Sequence, residues 1–106
     1  MKTDRELLEL AAKASGELTA SWYGNDAYFD GVLSRWNPLT DDGDALRLAV
    51  KLRLTVSWDR FDDEDYATAT PPHTHQGYDC MVSQDPYAAT RRAITRAAAA
   101  IGESMP

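Results

Sequence analysis

Between Asp41 and Asp59 the apolar residues change their spacing, and neither glycine nor proline separates the two rhythms after Gly43. Ala45, Leu48, Ala49 and Leu52 recur at three and four, one face of a helix, with Arg47 and Lys51 turned to solvent. Leu52, Leu54, Val56 and Trp58 then alternate with Arg53, Thr55, Ser57 and Asp59, the period of a half-buried strand. The chain therefore mixes helix with sheet. Its second helix has to stop at Lys51 or Leu52 without the left-handed glycine that usually ends a helix.

Two further helices have their own start signals. Thr3-Asp4-Arg5-Glu6 has the spacing of a capping box, and Leu7, Leu10, Ala11, Ala14 and Leu18 follow at helical spacing. A first helix is expected over about Asp4 to Ser15, closed by Gly16 in a left-handed cap. Asp85 followed by Pro86 is an N-cap with proline at the first helical position. The last helix then runs to near Gly102, with Tyr87, Thr90, Ile94, Ala97, Ala98, Ile101 and Met105 on one face.

Between Leu18 and Trp36, the strand formers Trp22, Tyr23, Tyr28, Phe29 and Val32 flank Gly24-Asn25-Asp26, which predicts a β-hairpin. Exposed rings there would stack nucleic-acid bases, but Arg35 is the one basic residue among them, so rings closing a core is the preferred reading. Asp59 to about residue 75 is acidic and then carries Pro71-Pro72, and is read as a mobile loop. Tyr78, Cys80 and Val82 alternate with Gly77, Asp79 and Met81, a last strand expected to pair with the strand before that loop. The expectation is a single α+β domain of 106 residues in the order α-β-β-α-β-β-α, with an antiparallel or mixed sheet of about four strands sandwiched by three helices.

Composition excludes some functions. The net charge of -6 argues against binding nucleic acid through the whole surface. That charge is uneven: Asp59 to Pro86 holds one basic residue against seven acidic ones, while Tyr87 to Pro106 holds three basic and one acidic. Cys80 is the only cysteine, so no intramolecular disulfide forms, which fits a reducing compartment such as a cytoplasm. Met1 to Leu10 has no apolar run of signal-peptide or membrane-span length.

Candidate sites are few. Asp41, Asp42 and Asp44 cluster as magnesium or calcium ligands do, but acidic residues in a helix's first turn more simply satisfy its free amides. His73 and His75, two apart on an extended segment, point the same way and with Asp79 form a weak metal set; loop histidines exposed to solvent are preferred. Asp62, Asp63, Glu64 and Asp65 are candidates for a cationic partner. Arg91, Arg92 and Arg96 form a basic stripe open to phosphate or an acidic partner, or simply a solvated helix face. Nucleophile elbows and phosphate-binding glycine loops are absent from the sequence, which argues against an enzyme and implies no cofactor.

Trp36 to Val56 and Asp85 to Gly102 together resemble the phage ABA sandwich domain, a family of small uncharacterised proteins of tailed phages and prophages. Trp36-Asn37-Pro38-Leu39 followed by Asp41-Asp42-Gly43-Asp44-Ala45 is the distinctive part, and Trp36, Asn37, Pro38, Asp41, Asp42 and Asp44 are read as its structural corner. Arg53 stands near the place where related sequences carry glycine. The resemblance implies a sheet between helices and a phage accessory origin, and it brings no catalytic residue. The functional expectation is a non-catalytic module that binds a host or phage protein or associates with itself as a homodimer. Nucleic-acid association through the arginine stripe is second, and a metal-dependent hydrolase a distant third.

Overall fold

In the computed structural model, residues 2–16, 20–23, 26–29 and 35–105 are described. The order is α1 (Asp4–Ser15), β1 (Ala20–Tyr23), β2 (Asp26–Phe29), β3 (Arg35–Trp36), α2 (Asp42–Leu52), β4 (Thr55–Phe61), β5 (Glu64–Thr70), β6 (Tyr78–Met81) and α3 (Pro86–Ser104). The α+β class, the three helices and antiparallel pairing are as the sequence indicates. The strands, however, divide into two sheets of three, β1-β2-β3 and β4-β5-β6. The aromatic hairpin forms, with Ser21 opposite Tyr28 and Trp22 opposite Ala27. Whether its rings close a core lies outside the described residues.

All three helix starts follow the expected chemistry. Thr3 accepts from the Glu6 amide while Glu6 reaches back to the Thr3 amide, and Gly16, at φ 85°, closes α1. Asp41 accepts from the Asp44 amide and Asp85 from the Tyr87 amide. The exit of α2 is the unusual one. Arg53 itself adopts the left-handed conformation, φ 59° and ψ 40°, and donates its amide to the Val50 carbonyl while Leu54 donates to Ala49. Such a cap is normally a glycine's, and arginine accepts the strain because the pair of bonds satisfies α2's last carbonyls.

The expected loop from Asp59 to about residue 75 is corrected: most of it is sheet. β4 runs to Phe61, Asp62 and Asp63 turn the chain with φ of 50° and 63°, and β5 returns. Positive φ at both central residues is the two-residue hairpin turn whose twist matches its strands, and aspartate tolerates it. Ala67, Thr68, Ala69 and Thr70 read poorly as strand because alanine is depleted there. Here the alternation puts Ala67 and Ala69, fully buried, under α3 and the threonines on the other face. β6 pairs with β5 rather than with β4, so β4 is an edge strand.

The core is largely alanine. Ala67 and Ala69 of the sheet, Ala89, Ala93, Ala97 and Ala98 of α3, and Leu8, Ala11 and Ala12 of α1 form one buried cluster. Small side chains on both partners let α3 lie close to the sheet and to α1 at once. Tyr87 and Met105, expected on α3's core face, are exposed instead, because that helix is buried by alanines on several sides. The other face of the second sheet, with Phe61 and Met81 exposed, has no described helix packed along it.

Candidate functional site

A groove of about 520 Å³ runs between α2, β4 and the start of α3. Its floor is Val56 and Trp58, and its walls include Ala49 and Leu46 on one side and Tyr87 and Ile94 on the other. The local sequence explains the shape. α2 turns Ala45, Leu48 and Ala49 into the core, which leaves Leu46 and Val50, four residues apart, on the opposite side at 64% and 66% exposure. Trp58 is 62% exposed and Tyr87 67%, although their positions face the helix layer.

Polar groups fix this groove without filling it. The Trp58 indole Nε1 donates to the Thr90 hydroxyl at 2.8 Å, and Thr90 donates in turn to the Pro86 carbonyl at 2.7 Å. At the rim, Arg91 donates Nε to the Leu39 carbonyl at 2.9 Å and pairs with Asp42 at 2.6 Å. Arg91 is only 16% exposed, so this pair ties the start of α2 to α3. The wall therefore offers apolar surface on which Trp58, Thr90 and Arg91 are already hydrogen-bonded, which suits a side chain from another protein better than a reacting substrate.

The residues singled out by sequence are mostly placed in structural roles. Trp36, Asn37 and Pro38 are buried, and the Asn37 side chain accepts from the Leu39 amide at 3.0 Å. Asp44, also buried, accepts from the Asn37 amide at 2.9 Å and from Arg47 at 2.7 Å. With Asp42 bound by Arg91 and Asp41 capping α2, the three carboxylates answer amides and guanidinium groups.

The arginine stripe is corrected: the three side chains do not form one open face. Arg91 turns to α2, Arg92 pairs with Asp4 of α1 at 3.0 Å, and Arg96 donates to the Asp79 carbonyl. His73 and His75 are exposed, Asp79 accepts from Thr68 at 2.7 Å, and no metal-holding group of histidine, cysteine or acidic residues occurs among the described residues. Asp62, Asp63, Glu64 and Asp65 are exposed at the β4–β5 tip, where Asp65 lies 3.8 Å from Arg60. Glu6 is the one group among the described residues whose acidity is clearly moved: the Thr3 amide, then its hydroxyl, hold that carboxyl below its ordinary value.

Sequence reasoning overlooked the groove itself. The signal was present: Leu46 and Val50 are large apolar residues on the side of α2 assigned to Arg47 and Lys51, with nothing in the chain's helical pattern to cover them.

Fold and site together define an α+β domain with an apolar cleft at one sheet edge. No protein-family model, curated protein or solved structure matches the chain. Among the described residues no helix is long and apolar enough to cross a membrane.

Proposed function

We propose that this chain is a non-catalytic protein-binding module that docks its partner in the groove between α2, β4 and α3. The carrying observation is the set Leu46, Trp58 and Tyr87, all more than half exposed along one cleft. Scattered apolar residues are ordinary on a surface, but a contiguous set around a cleft marks an interaction site. A phage accessory protein working in the host cytoplasm, the origin implied by the resemblance of Trp36 to Val56 and Asp85 to Gly102, is part of the same reading. Nucleic acid is less favoured, because Arg91 and Arg92 are already ion-paired and Arg96 is bound to a carbonyl.

Affinity capture with the wild-type chain and with a Leu46→Glu, Tyr87→Ala variant on the resin tests it. The expected result is a protein held by the first and lost by the second, with the same circular dichroism for both. Retention unaffected by the two substitutions overturns the reading.

A further inference from the structure

We propose that the occupant of this groove is a second copy of the chain, joined antiparallel along the open edge of β4; this rests on the groove being the docking site. A two-residue turn makes Phe61 and Glu64 a hydrogen-bonded pair, and alternation along the ladder directs the N–H and C=O of Val56, Trp58 and Arg60 away from β5. No described strand takes up those groups. An unpaired edge of seven residues is a template for another strand, and two-fold pairing is the commonest way a chain answers its own surface.

The charges select a register. β4 begins just after Arg53 and ends at Asp62-Asp63, and none of these three side chains has an ion pair among the described residues. With the two-fold axis at Trp58, Val56 of each copy faces Arg60 of the other, and the Arg53 end of each β4 comes beside the other's Asp62-Asp63 turn, so opposite charges meet at both ends. Moving the axis by one residue to Asp59 would set two aspartates against each other, which is unfavourable. The chosen register sets the two Trp58 rings side by side at the grooves, whose walls carry Leu46 of both α2 helices. The acidic tips, which carry much of the net charge, fall at opposite ends of the dimer.

The area is also sufficient. Leu46, Trp58 and Tyr87 leave roughly 400 Å² of mostly apolar surface uncovered per copy, so two copies with their strand backbones reach about 1,000 Å², the lower bound for a specific interface.

Sedimentation velocity over about a hundredfold concentration range, with melting curves as folding controls, tests the proposal. The wild type should reach twice its 11.8 kDa chain mass. Arg60→Pro removes an outward N–H that β5 does not use, and should weaken association at least about 30-fold. Arg53→Asp should weaken it about tenfold, and Arg53→Asp with Asp63→Lys should restore it. Amides of Val56, Trp58 and Arg60 should gain exchange protection as concentration rises. A dimer indifferent to these substitutions overturns the proposal, as does a double variant as weak as the single. A chain monomeric throughout, yet still capturing another protein through the groove, overturns the second-copy assignment and leaves the protein-binding reading standing. A monomer with no groove-dependent capture overturns both.

Discussion

The two flanks of α3 are built on opposite principles. Toward α1 the contact is made by small residues: Gly102 lies so close to the backbone of Leu10 that a Cβ there would collide with the Leu10 carbonyl oxygen. Ion pairs and hydrogen bonds close that flank, Arg92 to Asp4 at one end and Lys13 to the Met105 carbonyl at the other. Toward α2 and β4, Arg91 with Asp42 and Trp58 with Thr90 tie the elements together, but the large side chains of Trp58, Tyr87 and Leu46 are left exposed and line an open cleft. Close packing needs small residues on both sides of a contact; large ones without partners hold elements apart and wait for something else to cover them.

Gly102→Val should break the comparison hardest. The closed flank has no room for a side chain against backbone, so a loss of about 3 kcal/mol or more is expected, read as a lowered midpoint in urea. A midpoint equal to wild type would show that the flank is not closed. Next in size is a paired test across the flanks. Leu8→Ala empties a position that is 1% exposed and should cost about 2–5 kcal/mol. Tyr87→Ala, on the open side, should change monomer stability by about 0.5 kcal/mol or less. Similar costs at the two positions would mean that the cleft is part of the core.

A smaller effect, opposite in sign, is expected where α2 leaves for β4. Arg53→Gly relieves the left-handed strain and should stabilise by about 0.5–1 kcal/mol, a rise of roughly 3–6 °C in Tm. No rise would place the benefit of arginine elsewhere. The smallest effect belongs to Glu6. Its folded pKa lies below the ordinary value of 4.5, so its contribution is present above that pH and is lost as pH falls through the lower folded value. Glu6→Gln should therefore flatten the stability profile below about pH 4.5 and leave the groove's binding unchanged.

Much of the local structure was legible. Thr3 with Glu6, Asp41 and Asp85-Pro86 signal helix starts because a cap acts within three residues of itself, and so does Gly16 at the end of α1. The β4–β5 hairpin was hidden by two departures from common usage: an Asp-Asp turn in place of Asn-Gly or Asp-Gly, and alanine at the buried positions of a strand. The arginines were misread for another reason. A helical wheel places Arg91, Arg92 and Arg96 near one another, but the partners that claim them, Asp42, Asp4 and the Asp79 carbonyl, lie between 17 and 88 residues away in the chain.

The sequence by itself determined the class, the helix boundaries and the placing of acidic charge between Asp59 and Pro86, since each depends on periodicity, capping or composition over short spans. Only the tertiary structure decided that β5 lies between β4 and β6, that α3's arginines are engaged by distant partners of the same chain, and that Leu46, Trp58 and Tyr87 border one groove. Those outcomes depend on which distant residues meet, and that is set by how closely an alanine-built core lets its layers approach.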